Sequence, residues 1–482
     1  MSITSALSNA LSGLTAASRG AQVVSSNVAN SLTDGYGVRE LSLTARFGGG
    51  IGGVAIASEV RNVDLGLISE RRLADASFGL ATTTADFSAS MEAMIGLPGE
   101  AGSLSTRVAN LENSFLEATA FPSSEPLQRQ ILSNATALTD RLNDLSDAVQ
   151  IKRVEADQNI ADQISLLNTA LQQVVSLNSD IERENLAGTA VSGLMDQRQQ
   201  VIDSIAELVP LREIPRENGR VALITTGGLQ LVEGPAAVFG FSPTATIAPE
   251  MSIDSGSLSG LTLNGRALSQ NNRGMEGGSI AANFQIRDDL APKTQSQLDS
   301  FARDFLDRFQ NPTVDPTLAI GDAGLMTDGG AFFDPLNEVG LAGRISVNSA
   351  VDPDQGGNLS RLRDGIGAVT LGAAGNGTQL QSYFDAMRTR QPATSGAISV
   401  LALSTQELAS EFLSTVSQQK YALDNEAAFA QSKSESLKGL EQAGGVDTDA
   451  EMQKLLLIEQ AYGANARVIQ TIDDLIQTLI RI

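Results

Sequence analysis

The sequence predicts a mainly α fold with a β insertion: terminal coiled-coil helices, a long-helix bundle domain and a small β domain. Three observations predict it. Apolar residues recur at heptad spacing at both ends of the chain, the run from Leu127 to Ala187 contains neither Gly nor Pro, and between Arg220 and about Ser269 the apolar period switches to two.

The first seam, Ser2 to Asn30, places Ile3, Leu7, Ala10, Leu14, Ala17, Ala21, Val24 and Val28 on one stripe. Its alanines allow a second helix axis to approach closely. Asn30, Asp34 and Gly35 are turn formers, so the helix stops near Asn30 and the chain reverses at Asp34-Gly35. Residues 38–63 alternate apolar and polar around a glycine patch and read as two strands. Gly48, Gly50 and Gly53 spell GxGxxG, but a strand-like VAIASEV follows where a dinucleotide site needs a helix.

Asp64 to about Gly96 reads as a helix, and a second runs from the Gly96–Gly102 break to Ala120. Pro126, behind Ser123 and Ser124, suits the first turn of a third. Along it Ile131, Ala135, Leu138, Leu142, Leu145 and Val149 form one heptad register. Ile160, Ile164, Leu167, Leu171, Val174 and Ile181 form another, displaced by one residue. The slip falls in KRVEADQN, so a bend or break is expected there. LMDQRQQVIDSIAELV is a further helix after the Gly193 turn.

The small β domain spans 220–276. Gly277 to Gln310 returns to helix, with Leu298, Phe301, Phe305, Leu306 and Phe309 as a core stripe. Residues 311–400 are rich in Gly, Asp, Pro and Asn, with a strand-like RISVN at 344–348. Asp352, Asp354 and Asn358 are spaced faintly like a calcium loop, but no Glu follows at the twelfth position, and a solvated Asx turn is the reading. Ser399 to Leu440 is helix, and Gly444-Gly445 hinges it to the last stretch.

That stretch, Asp449 to Ile482, carries the thick seam: Leu455, Ile458, Tyr462, Asn465, Ile469, Ile472, Ile476 and Leu479. The column Ala461, Val468, Leu475, Ile482 is apolar too, so the stripe is wide enough for more than one partner. Asn465 reads either as a register device or as a solvated rim residue. The pattern also fits an ordinary terminal hairpin packed on its own core. The expected divisions are 1–63 and 446–482 for the inner terminal domain, 64–219 and 401–445 for the helical domain, 220–276 for the β domain, and 277–400 for a helix with an irregular segment.

A net charge of −23 disfavours nucleic acid and anionic membranes as partners. Cysteine, histidine and tryptophan are absent, which excludes cysteine nucleophiles, Ser-His-Asp triads and zinc sites built on Cys or His. No cofactor and no metal is expected. No run of 18 or more apolar residues is present, and the opening stretch, whose first charge is Arg19, does not read as a cleavable leader.

Ala29, Asn30, Thr33, Gly35 and Tyr36 form A-N-x-x-T-x-G-Y, which resembles the signature of the axial proteins of the bacterial flagellum. VDTDAEMQKLLLIEQAYGANARVIQTIDDLIQTL resembles their C-terminal signature. A long helical segment followed by DQRQQVIDSIAEL and then strands narrows the likeness to the hook-associated protein 1 (FlgK) family. Gly37 departs from the pattern, which usually has serine after the tyrosine. The resemblance implies a non-enzymatic, exported subunit of the extracellular flagellum at the hook–filament junction, passing through the flagellar type III apparatus. Implied partners are further copies of itself, hook protein below, a second hook-associated junction protein above, and a cytoplasmic export chaperone on the C-terminal helix. Implied layers are terminal helices inside, helical domain next and β domain facing solvent. Alternatives are a rod or hook subunit, which would have a mostly β middle, a flagellin-like filament subunit, and an enzyme using carboxylates such as Asp322 and Asp328 within 220–400.

Overall fold

The computed structural model describes residues 3–46, 52–268, 274–395, 398 and 401–481. Gly48 and Gly50 of the GxGxxG spelling, the expected helix start at Ser399 and the seam-column residue Ile482 lie outside these. The architecture is mainly α with small antiparallel sheets, as the sequence predicts.

Helix α1, Ile3–Ala29, leads into the antiparallel strands β1, Val38–Ala45, and β2, Val54–Asn62, whose register slips between Ser42 and Leu43. Asp64 caps α2, Leu65–Ile95, by accepting from the Gly66 and Leu67 amides at 2.9 and 3.0 Å. Gly96, at φ +80°, ends it. Ser103 caps α3, Leu104–Ala120.

Helix α4, Glu125–Leu186, is a single 62-residue rod, about 93 Å at 1.5 Å per residue. The two apolar registers are both buried along it, and of the expected bend or break between them no break occurs. Instead Arg153 and Asp157, at the slip, are buried polar residues with partners. Arg153 donates to the carbonyls of Arg287, Ala248 and Met251 at 3.0, 3.0 and 2.6 Å. Asp157 pairs with Arg287 and accepts from the Thr244 amide. Once satisfied, these groups need no exit to water, so the buried face changes while the backbone stays helical.

Helix α5, Ser192–Ser204, is shorter than expected because residues 205–208 open into turns. The Glu207 and Leu208 carbonyls there accept from the Ser279 and Ile280 amides at 3.0 and 3.3 Å. Strands begin earlier than 220. Leu211–Pro215 (β3), short and bounded by prolines, pairs with Val221–Thr225 (β4), which pairs with Gln230–Val232 (β5). Phe239–Gly240 (β6), Thr262–Leu263 (β7) and Arg266–Ala267 (β8) form a second small sheet.

Helix α6, Gly278–Gln285, passes through a π turn, Ile286–Leu290, into α7, Ala291–Phe309, whose phenylalanines are buried. Met326–Asp328 (β9) pairs with Ile345–Val347 (β10), within the RISVN segment. Asp352 accepts from the Asp354 amide and Asn358 from the Ser360 amide, so both serve local turns. Asp322 accepts from the Ala319 amide, and Asp328 pairs with Arg344 at 2.9 Å. Helices α8, Arg361–Asp364, and α9, Thr378–Arg388, precede a two-residue pairing of Gln391–Pro392 (β11) with Ala402–Leu403 (β12). Helix α10, Thr405–Ala443, starts later than expected because Ser404 and Glu407 form a capping box there. Asp447 caps α11, Thr448–Ile480.

Two apolar clusters hold the body. One joins α3, the first half of α4, α7, α9 and the start of α10 around Phe115, Phe301, Phe309 and Tyr383. The other joins the second half of α4, α6 and strands β3 to β6. Neither cluster includes a residue of α1, β1, β2 or α11.

Candidate functional site

The terminal helices pack on each other antiparallel. A side chain built at Gly13 would stand 2.6 to 2.8 Å from the Asn465 amide, and one at Gly20 would stand 3.2 Å from Ile458 Cδ1. Asn27 donates to Glu451 at 3.0 Å. Each step of seven along α1 is matched by a step of seven back along α11, which is the layer spacing of a coiled pair.

Of the α1 seam, Ala10, Ala17 and Val24 are buried, Leu14, Ala21 and Val28 half-buried, and Ile3 and Leu7 exposed. On α11 Ile472 is buried, Leu455, Ile458, Asn465, Ile469 and Ile476 are half-buried, and Tyr462 and Leu479 are exposed. The neighbouring column stays uncovered: Ala461, Val468 and Leu475 are exposed, and so are Leu456 and Leu457. Asn465 donates to the Ala461 carbonyl of its own helix and fills the notch left by Gly13. Among the described residues its side chain makes no hydrogen bond to α1 and meets that helix by shape alone. An open groove of ≈ 860 Å³ runs beside the pair, lined by Ala17, Ala21 and Ala29 on one wall and Leu455, Ile458 and Tyr462 on the other.

A second buried column on α1, Ala16, Gly20, Val23 and Asn27, escaped the seam count although it repeats at helical spacing. Helix α1 also packs on both strands of the hairpin. Ser12 Oγ accepts from the Val54 amide at 3.1 Å, and Arg19 pairs with Glu59 at 3.2 Å.

The signature residues Ala29, Asn30, Thr33, Gly35 and Tyr36 build one turn. The Asn30 side chain donates to the Ser26 carbonyl, the Thr33 amide to the Asn30 carbonyl and the Tyr36 amide to the Thr33 carbonyl. Gly35, at φ +78°, sits where the Gln200 side chain crosses. Ala29 is exposed on the groove wall. Tyr36 donates its hydroxyl to Asn27 Oδ1 at 2.8 Å and lies under the Arg39 guanidinium. Asn27, fully buried, also accepts from the Arg39 amide and donates to the Arg39 carbonyl and to Glu451. One side chain thus ties α1, the turn, β1 and α11. Helical spacing from Ala16, Gly20 and Val23 marks it as inward-facing, but nothing in the local sequence marks its bond to Glu451.

Where this terminal assembly meets the body, Asp196 of α5 accepts from the Gly37 amide at 3.0 Å and pairs with Arg39 at 2.8 Å and Arg61 at 2.7 Å. Burial works most strongly against the Arg39 charge, but the hydrogen bond to Asp196 and the attraction of Tyr36, Asp196 and Glu59 together outweigh it, holding the guanidinium above its ordinary value. Arg61 also reaches Gln199. Arg71 links Glu441 of α10 to Asp203 of α5; burial disfavours its charge, but Asp203, Glu441 and Asp75 raise its pKa. Gly37 answers the departure from serine: a Cβ there would lie 2.5 Å from Arg61 Nε and 2.9 Å from Val63.

Among the described residues no cluster of His, Cys, Asp or Glu is arranged to hold a metal, and no helix is long and apolar enough to cross a membrane. Residues 72–315, half of the chain, match the family described as Flagellar hook-associated protein FlgK helical domain. This chain belongs to the FlgK family of flagellar hook-associated proteins. Its last residues, 440–482, match the Flagellar basal body rod FlgEFG protein C-terminal family. It is 23% identical to Flagellar hook-associated protein 1 of Bacillus subtilis over 98% of this chain and 97% of that protein. Against Flagellar hook-associated protein 1 of Salmonella typhimurium it is 24% identical over 49% of this chain and 44% of that one. The solved structure of the flagellar hook junction protein FlgK from Burkholderia pseudomallei shows a likeness with a TM-score of 0.44 at 18% identity, over 54% of this chain and 47% of that one. As an FlgK family member the chain is a structural component of the flagellum and not an enzyme.

Proposed function

We propose that this FlgK family chain builds the hook–filament junction by polymerising through its terminal helices, with the seam residues of α1 and α11 as its assembly interface. The observation that carries this reading is the state of α11: paired with α1 along one edge, yet with Leu456, Leu457, Val468, Leu475 and Leu479 left in water. An apolar stripe that long on one helix calls for further helices, and sister copies supply them in a ring or helical layer. Hook protein below, a second hook-associated protein above and an export chaperone on α11 are the remaining partners. Export through the flagellar type III apparatus delivers the chain to the outside. Within the layer the terminal pair lies innermost, the body built on α4 lies next, and the small sheets face solvent.

The test substitutes exposed residues, so that folding is not at issue. Leu457→Asp and Leu475→Asp should leave the purified monomer's melting unchanged, while a motile strain carrying either should bear hooks without filaments. Normal filaments on both strains would overturn the proposal.

A further inference from the structure

We infer that Asp196 is the positioning residue that fixes the terminal pair at one angle to the helical body, and that glycine at 37 is the condition for it. The covalent links between the two parts are short, at residues 63–64 and 444–447. Neither buried apolar cluster reaches across to α1, the hairpin or α11. What spans the gap is polar. Asp196, 7% exposed, gathers the Gly37 amide and the Arg39 and Arg61 guanidiniums. Gln200 adds a bond to the Asp34 carbonyl at 2.8 Å.

A carboxylate with three fixed donors defines a direction as well as a distance, because its two oxygens are claimed from both hairpin strands at once. Arg39 lies on β1 and Arg61 on β2, so the hairpin cannot rotate about Asp196 without breaking one pair. Asn27 then passes that orientation to both terminal helices through Arg39 and Glu451. Arg61 reaches Asp196 only by lying across residue 37, where any Cβ would meet its Nε and Cγ at 2.5 and 2.6 Å. Serine, the residue the wider pattern favours, would push Arg61 off the carboxylate. Glycine is thus matched to Arg61 in this chain.

The isolated full-length chain is enough to test this, so the outcome does not depend on how the subunit assembles. With no native cysteine, Gln172→Cys on α4 and Gln470→Cys on α11, both exposed, take spin labels cleanly. The parent should give one narrow inter-label distance. Asp196→Asn and Gly37→Ser should each at least double the width of that distribution, with helicity and melting midpoint as in the parent. Gly37→Ser lies outside the body, so it remains informative where Asp196→Asn folds poorly. Distributions as narrow as the parent's in both variants would refute the inference. So would lost helicity in Asp196→Asn alongside a narrow Gly37→Ser, because Asp196 would then serve the body and not the joint.

Discussion

Asn27 shows how much one side chain can carry. Its amide makes four hydrogen bonds to three residues while fully out of water, so Asn27→Ala would strand the Arg39 amide and leave Glu451 to Lys454 alone. Stranding buried groups of this kind costs about 2–3 kcal/mol. The loss should appear as roughly 30- to 160-fold faster amide exchange in α1 and α11, with the body's melting midpoint unmoved. Glu407 gives a pH-dependent counterpart. The Arg390 hydrogen bond and the Ser404 amide lower its pKa from 4.5 to about 2. A carboxylate depressed on folding contributes fully above its unfolded value, and the contribution is lost as pH falls through the folded one. The melting difference between the parent and Glu407→Gln should therefore be constant above pH 4.5 and vanish as pH approaches 2. Ser404→Ala, which removes the cap on the Glu407 amide, should cost about 1 kcal/mol at neutral pH.

At the scale of elements, the fit of α1 to α11 depends on notches. Gly13→Ala places a methyl against the Asn465 amide, and Asn465→Ala alone opens a void over Gly13. Together the two changes should compensate, with a coupling of about 1 kcal/mol favouring the double variant, read from exchange protection of α1. The periodicity of these helices was legible from the sequence because local spacing decides which face is apolar. The same holds for both registers of α4. Its continuity was not legible, because the partners that satisfy Arg153 and Asp157 come from residues 244–287, far along the chain. The short strand Leu211–Pro215 was missed for a related reason: its pairing with Val221–Thr225, and not its own composition, makes it a strand. The turn signature points to the right place, but the bond of Asn27 to Glu451 and the hold of Asp196 on Gly37, which anchor that turn, are contacts no local window contains.

For the molecule as a whole, the division of the apolar clusters sets what each part can do alone. The body owns both clusters, and α11 shares none of them, so deleting residues 448–482 removes no core contact from α4, α7 or the small sheets. It does remove the larger of the surfaces on which α1 lies, leaving it only the β1–β2 hairpin. An alanine-rich helix of 27 residues held along one side by a two-stranded hairpin is marginal in water, and its four-bonded Asn27 would lose Glu451. The truncated chain should therefore lose the helicity of α11 and most of that of α1, while its cooperative melting midpoint stays within about 2 °C of the parent's. It should also stay monomeric when offered hook tips on which the parent grows. Circular dichroism read against calorimetry separates the two effects, since the first counts helix and the second reports the clusters. A midpoint lowered by roughly 5 °C or more would mean that the terminal pair supports the body. The terminal helices would then not be free to find their partners only in the assembly.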